Sequence, residues 1–198
     1  MLTNVSCSKK LYFDQSSKHS SKFFNIFLMG IQTGLYKSPV GELIIKVSDT
    51  HLHSVLFMKS IKHPLPEKIE LVFSDQPHAI MDECKSQLDQ YFAGERFQFN
   101  LPIQQEGTPF QQKVWSALLS IPYGRTISYL ELSKRIGNSK ATRAVGTTNG
   151  SNNISIIVPC HRVIGSNGEL TGYGGDIWRK KWLLDHESKY ANGVQTLF

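Results

Sequence analysis

The first half of the chain shows short apolar runs separated by turn residues, a pattern typical of β-strands. Residues 43–47 and 52–58 are two such runs, bounded by Pro39, Gly41 and Asp49. Together they predict a β-hairpin. Residues 69–73 form another short strand candidate.

The period becomes helical over residues 77–94, where Gly94 provides a stop. The apolar face of this predicted helix comprises Ile80, Cys84, Leu88, Tyr91 and Phe92. Since Cys84 lies on that face, we expect it in the core. Phe97 and Phe99 then alternate with polar residues and predict a last strand. The pattern therefore predicts a small α/β domain, residues 30–102, with an antiparallel sheet and one helix.

Three helices are predicted next, after a linker near residues 104–107. Thr108 as N-cap and Pro109 at the first helical position begin the first one. Thr126 or Ser128 caps a second helix that ends near Ile136, and Ser139 caps a third that runs toward residue 149. Two helices joined by a glycine-containing turn indicate a helix-turn-helix.

The third helix carries mostly small side chains, with Arg143 as its one long polar residue; the small ones are Ala141, Ala144, Gly146, Thr147 and Thr148. A helix that reads the major groove normally offers several long polar side chains to base edges. The composition favours minor-groove or backbone-led DNA docking with Arg143 reaching into the base stack. A tightly packed core helix with one solvated arginine fits the same pattern.

The segment 155–165 places Cys160 after three β-branched residues and Pro159, which predicts a thiol at the end of a buried strand. His161 and Arg162 follow directly. Such an electropositive setting lowers a thiol pKa from about 8.5 and favours a nucleophilic thiolate. The alternative is an inert buried cysteine, since cysteine is among the most buried residue types.

A glycine-rich stretch, residues 165–175, and a final helix, residues 176–187, complete this half. The glycines predict a loop that folds over a pocket and offers backbone donors. Adjacent residues of an extended chain point to opposite sides, so His161 would reach Cys160 through a water molecule. Glu187 at the helix end could orient His161. Arg179, Lys180 and Lys181 could contact phosphates or form a solvated face.

Composition limits the class of protein. The 198 residues are 40% hydrophobic, which suffices for one domain or two small ones. The sequence contains no run of about 18 apolar residues, the length that a membrane-spanning helix needs. Three dispersed cysteines fit neither a disulfide framework nor a zinc site. From Gln105 onward there are 11 Lys and Arg against 6 Asp and Glu, so most of the net charge of +6 lies where DNA would bind. The polar composition near the start of the chain, rich in Ser and Lys, predicts that residues 1–29 form a disordered leader.

The motif IVPCHRVIG, with SYLELSKRIG and RAVGTTNG before it and LTGYGG and KWLLDHE after it, resembles the O6-alkylguanine-DNA alkyltransferases. The resemblance covers residues 108–187, and more loosely the chain from Thr33. It implies an α/β N-terminal domain followed by a mostly α winged helix-turn-helix domain, residues 105–190. It also implies irreversible, single-turnover transfer of an alkyl group from O6-alkylguanine in double-stranded DNA, with O4-alkylthymine as a further candidate, after base flipping.

The resemblance also assigns roles to residues. Cys160 is the expected alkyl acceptor, His161 its water-linked base and Glu187 the partner that orients it. Tyr129 is expected to assist flipping and proton supply, and Asn152 to form a hinge. The expected DNA contacts are Ser128, Tyr129, Ala141, Arg143, Ala144, Thr147 and Thr148, and the expected pocket lining is Val158, Pro159, Val163, Tyr173, Gly174 and Gly175.

No cofactor and no metal site are expected. We expect a monomer that acts in the cytoplasm near the nucleoid, or in the nucleus of a eukaryote. Asn153 stands where the family often has proline, which leaves the rigidity of the hinge open. Three alternatives remain: a lesion binder without repair activity, a winged-helix regulator, and a papain-like hydrolase.

Overall fold

An antiparallel sheet of three strands forms the N-terminal part of the structure, in the order β1-β2-β3. The computed structural model describes residues 30–60 and 77–191. The strands are β1 (Gln32–Ser38), β2 (Gly41–Val47) and β3 (Leu52–Phe57). The predicted hairpin is confirmed. The strand candidate at residues 69–73 and the leader at 1–29 lie outside the described residues.

Helix α1 (Ala79–Ala93) packs on this sheet and confirms the predicted helix. Its buried residues include Met81, Cys84, Leu88 and Tyr91, so the expectation that Cys84 belongs to the core is also confirmed. Gly94 ends the helix in the left-handed conformation, with φ 79°. We call β1–β3 and α1 the N-terminal module.

The predicted strand at Phe97 and Phe99 is wrong. The Gln87 side chain on α1 takes the place of a strand partner, donating to the Asn100 carbonyl at 2.9 Å and accepting from the Asn100 amide at 2.8 Å. Phe99 packs on the Tyr91 ring, with the ring centroids 5.5 Å apart. The backbone groups of Asn100 are therefore satisfied without a sheet partner.

The free edge of β3 binds two segments from later in the chain. Leu52 exchanges backbone hydrogen bonds with the segment 102–104, and Val55 exchanges them with residues 153 and 155. These contacts join the N-terminal module to the chain that precedes Cys160. The described residues from Ile31 onward form one compact unit.

The helices of the C-terminal half begin mostly where their caps predict. α2 (Pro109–Leu118) has a full capping box between Thr108 and Gln111. Ser128 caps α3 (Tyr129–Arg135), directly after the two-residue strand β4 (Ile127–Ser128). The predicted cap at Ser139 is wrong: Ser139–Ala141 is a 3₁₀ turn, and α4 (Thr142–Gly150) follows without a side-chain cap.

The last helix, α5 (Ile177–Ala191), is longer than predicted. Glu187 therefore lies inside the helix rather than at its end. The proposed phosphate contacts are wrong for Arg179 and Lys180, because both side chains are buried. Lys181 is exposed and pairs with Asp185 at 2.6 Å. Across residues 30–60 and 77–191, the structure contains no helix long and apolar enough to cross a membrane.

Two glycines with similar backbone angles allow a test of this packing. Gly94 and Gly137 have φ 79° and 75°, but a Cβ at position 94 would overlap the ring of Tyr190, whereas position 137 is open. We expect Gly137→Ala to lower the free energy of unfolding by about 1 kcal/mol through backbone strain. Gly94→Ala should cost about 3 kcal/mol because overpacking is added. Denaturant unfolding measures both, and equal losses would contradict the packing of α5 against α1.

Candidate active site

The loop that carries Cys160 is not the predicted buried strand. Ile154 bridges Val55 of β3, and the chain then turns, with Ile156 at φ 72° and the Val158 amide donating to the Ile154 carbonyl at 3.0 Å. A β-branched residue at positive φ carries strain of about 1–3 kcal/mol. Full burial of Ile156 and paired backbone groups stabilise this turn and outweigh the intrinsic strand preference.

Cys160 instead begins a 3₁₀ turn, Cys160–Arg162, which leads into β5 (Val163–Ile164). β5 pairs in parallel with β4, the strand that precedes the helix-turn-helix. The cysteine is thus held between the edge of the N-terminal sheet and the base of the helix-turn-helix.

Cys160 is 4% exposed, and its thiol has a polar partner. Asn152 Nδ2 lies 3.1 Å from Sγ. Burial raises the pKa of Cys160, and the opposing effects of Asn152 and the Lys180 charge do not offset it. The prediction of a lowered thiol pKa is therefore wrong, and a base must remove the proton before the sulfur can attack.

Asn152 also holds the loop itself. Its Nδ2 donates to the Val158 carbonyl at 2.8 Å, and its Oδ1 accepts from the Ile154 amide at 3.0 Å and from Gln105 Nε2 at 2.9 Å. The side chain therefore links the end of the helix-turn-helix to the turn before Cys160. This geometry supports the expected hinge role.

His161 is fully buried, and its Nε2 lies 2.8 Å from Glu187 Oε1. Because a carboxylate only accepts, Nε2 carries the hydrogen and Nδ1 offers a lone pair. No protein atom of the described residues hydrogen-bonds Nδ1. Burial lowers the pKa of His161 although Glu187 opposes the shift, so the imidazole is neutral near pH 7. No direct hydrogen bond joins it to Cys160 in the described part of the chain, which is consistent with the expected water link.

Glu187 is a buried carboxylate that accepts five hydrogen bonds. The donors are His161 Nε2, Arg162 Nε at 2.9 Å, Arg162 Nη2 at 3.0 Å, Tyr91 Oη at 2.9 Å and the Gly124 amide at 3.1 Å. Burial alone would raise the pKa of Glu187, but His161 and Arg162 outweigh it and hold the pKa well below its ordinary value. The carboxylate is therefore ionised throughout the physiological range.

A second polar group surrounds Tyr129, whose hydroxyl donates to the Thr171 carbonyl at 2.9 Å. Lys180 Nζ donates to the carbonyls of Val163 at 2.6 Å and Thr171 at 2.7 Å, and lies 3.5 Å from Tyr129 Oη. Burial raises the pKa of Tyr129, so the phenol keeps its proton at neutral pH. Lys180 was not predicted to lie beside Tyr129, although its seven-residue spacing from Glu187 places both on one helix face.

A cavity opens beside the thiol. Its lining comprises Leu56, Phe57, Ser60, Gly150, Asn152, Ser155, Cys160, Tyr173, Gly174 and Gly175. Three of the predicted lining residues are among them, and the contribution of β3 was not foreseen. Val158, Pro159 and Val163 are buried in the Cys160 loop and do not line this cavity, so their contact with a base stays a prediction. A Cβ at Gly175 would lie 2.5 Å from the Phe57 ring.

The outer face of α4 presents Arg143, Ala144 and Thr147 to solvent. Thr148 is buried on the inner face of the helix, and its carbonyl accepts from Trp115 Nε1 at 3.0 Å, so its expected contact with DNA stays a prediction. Ala141 is half-buried, and the Ser128 hydroxyl accepts from the Glu131 amide at 3.0 Å. Within the described ranges no group of three His, Cys, Asp or Glu side chains could hold a metal ion.

Two family models match the chain. The model for the 6-O-methylguanine DNA methyltransferase ribonuclease-like domain matches residues 31–105, and the model for the DNA binding domain of the same family matches residues 109–189.

Individual relatives agree with this. A methylated-DNA–protein-cysteine methyltransferase of Methanosarcina acetivorans is 46% identical over 154 residues, 77% of this chain and 96% of its own. The constitutive enzyme of Bacillus subtilis is 45% identical over 153 residues, 76% of this chain and 92% of its own.

Solved structures are similar as well. The crystal structure of Mycobacterium tuberculosis O6-methylguanine methyltransferase has a TM-score of 0.74 and 42% identity, covering 85% of this chain and 99% of its own. That of Mycobacterium tuberculosis OGT in complex with DNA has a TM-score of 0.71 and 41% identity, covering 80% and 94%.

The buried carboxylate predicts a measurable stability change. At pH 7, Glu187→Gln should lower the free energy of unfolding by about 3 kcal/mol, because Arg162 loses its buried counter-charge. The folded pKa of Glu187 is lowered, so its contribution is present above the unfolded value of about 4.3 and is lost as the pH falls further. The difference from wild type should therefore shrink below about pH 4 in denaturant titrations.

Asp185→Asn provides the matched control, because Asp185 is an exposed acid on the same helix that pairs only at the surface with Lys181. We expect a change of about 0.5 kcal/mol or less. Equal effects of the two substitutions would contradict the assignment of Glu187 as a buried structural anion.

Proposed function

This chain belongs to the 6-O-methylguanine DNA methyltransferase family, and from that premise we propose how its residues repair alkylated DNA. The protein is a methylated-DNA–protein-cysteine methyltransferase that reverses damage directly by alkyl transfer. The observation that carries the assignment of residues is the buried series Cys160, His161 and Glu187, in which the acid holds the tautomer that leaves a lone pair on His161 Nδ1.

In the proposed reaction, Sγ of Cys160 attacks the alkyl carbon and the bond from that carbon to O6 of guanine breaks. The thiol proton passes through a water molecule to His161 Nδ1, and Glu187 stabilises the imidazolium that forms. The electron pair of the broken bond stays on the guanine, which then takes up one proton. We propose that Tyr129 supplies this proton and that Lys180, whose Nζ lies 3.5 Å from the Tyr129 hydroxyl, replaces the proton that Tyr129 loses.

The product explains why the protein acts once. The sulfur ends as a thioether, which neither water nor imidazole readily cleaves, whereas the thioester of an acyl-enzyme hydrolyses. A cysteine hydrolase depends on hydrolysis of that thioester to regenerate its free thiol. The cysteine is therefore consumed in stoichiometric amount with the lesion.

Double-stranded DNA is the partner, and the helix-turn-helix supplies the surface. We place α4 against the minor groove, because its exposed face offers small residues and one long side chain, Arg143. Arg143 would fill the space left by the flipped nucleotide. This surface argues against a sequence-selective regulator, which needs several base-reading side chains.

We propose that residues 30–102 and 105–190 are the two domains that carry out this reaction. We expect the protein to act as a monomer in the compartment that contains the DNA. That compartment is the cytoplasm in a prokaryote and the nucleus in a eukaryote. Methyl is the adduct indicated by the family, and larger adducts and O4-alkylthymine are further candidates.

Intact-mass measurement tests the proposal. Incubation with duplex DNA containing O6-methylguanine should add one methyl group per protein, located on the peptide that contains Cys160. Cys160→Ser should remain unmodified, whereas Cys84→Ser should still be methylated because Cys84 lies in the core of the N-terminal module. An unmodified wild-type protein that still binds the DNA would indicate a lesion binder without repair activity.

An effect of Arg143 on base flipping can be distinguished from the effect of its charge on DNA binding. We expect Arg143→Ala to slow transfer from duplex DNA about tenfold and to change transfer from single-stranded DNA little, because only the duplex requires flipping. Lys140→Ala is the matched control, because it removes one exposed charge from the preceding turn. It should slow transfer from duplex and from single-stranded DNA by the same factor, and added salt should slow the wild-type protein in the same way. Equal losses on both substrates for Arg143→Ala would contradict the flipping role.

A further inference from the structure

Tyr91 brings a hydroxyl from the N-terminal module to the active-site acid. It lies in the last turn of α1, and its Oη donates to Glu187 Oε1 at 2.9 Å. The same oxygen accepts from His161 Nε2 at 2.8 Å. This one carboxylate oxygen therefore accepts hydrogen bonds both from the proposed catalytic base and from a residue of the N-terminal module.

The position of Tyr91 is fixed at both ends. The side chain is fully buried, and burial raises the pKa of Tyr91 well above 10, so the hydroxyl remains a donor at all working pH values. The Tyr91 carbonyl accepts from His186 Nε2 at 2.8 Å, and the two rings pack 5.3 Å apart. Since His186 directly precedes Glu187, α1 is bound to this point of α5 through backbone and side chain together.

We propose that Tyr91 is a positioning residue for alkyl transfer, through which the N-terminal module sets the basicity of Glu187 and hence of His161. The proposal rests on the proposed function. A hydrogen bond from a neutral phenol stabilises the carboxylate and weakens its hold on other protons. Glu187 then orients the imidazole without drawing His161 into the protonated state, in which Nδ1 could not accept the thiol proton.

The other groups around this pair keep their influence when Tyr91 changes. They are Arg162 beside both residues, Lys180 on α5, and the hydroxyls of Tyr123 and Tyr173, which stay protonated because burial raises their pKa values. Removing the Tyr91 hydroxyl should therefore leave Glu187 ionised but more basic. The pKa of His161 should rise as a result.

Tyr91→Phe tests this, because it removes one oxygen and keeps the ring. We expect an NMR titration to show a higher pKa for His161, and single-turnover methyl transfer to show its acidic limb moved to higher pH. On that limb the rate should fall about three- to tenfold and recover as the pH rises. Tyr36→Phe is the matched control, since its hydroxyl donates to Asp89 of the same helix at 2.7 Å, away from Glu187. It should change neither quantity.

Each result decides the proposal. An unshifted His161 titration, or a rate loss equal at all pH values, would reduce Tyr91 to a packing residue and overturn it. Combining Tyr91→Phe with Glu187→Gln should abolish the shift, and a shift that survives would show that Tyr91 acts by another route.

The wild-type protein gives an independent reading that needs no variant to fold. The Tyr91 hydroxyl proton and the His161 Nε2 proton point at one oxygen and should show a nuclear Overhauser effect, whose absence would overturn the proposal. If wild-type protein transfers no methyl group, the proposed function fails, while the titration still decides the role of Tyr91.

Discussion

The buried carboxylate of Glu187 is the constraint on which the rest of the structure depends. A buried carboxylate is stable only when its oxygens accept hydrogen bonds. The donors to Glu187 come from α1, from the Gly124 loop and from the Cys160–Arg162 turn. Displacing any of these segments would leave the buried charge with fewer hydrogen-bond donors. The N-terminal module and the Cys160–Arg162 turn are therefore coupled through this one carboxylate.

The thiol is protected rather than preactivated. A reactive cysteine usually owes its low pKa to an exposed cationic setting. Here Arg162 is committed to Glu187 and to the Ile121 carbonyl at 2.6 Å, so its charge is not available to stabilise a thiolate. A protonated, buried sulfur reacts poorly with adventitious electrophiles. For a protein that is consumed by a single alkylation, burial of the sulfur therefore limits loss to reagents other than the lesion.

The sequence predicted the elements whose determinants are local. Thr108, Pro109 and Ser128 act within one helical turn, so α2 and α3 begin where expected. Strand predictions failed at Phe97 and at Ile156, because a strand needs a partner that only the tertiary fold provides. The motif resemblance assigned roles to Cys160, His161 and Glu187, yet no local signal could bring in Tyr91, which lies 96 positions from its partner.

Asn153 shows how the fold can replace a missing local constraint. Proline at this position would stiffen the expected hinge through its fixed φ, and asparagine cannot. The segment is instead held by β3: the Val55 amide donates to the Asn153 carbonyl at 2.8 Å, and the Ser155 amide donates to the Val55 carbonyl at 2.9 Å. β3 also lines the cavity, and α1 supplies Tyr91. The N-terminal module thus contacts the expected hinge, the cavity and Glu187, so it contributes directly to the surroundings of Cys160.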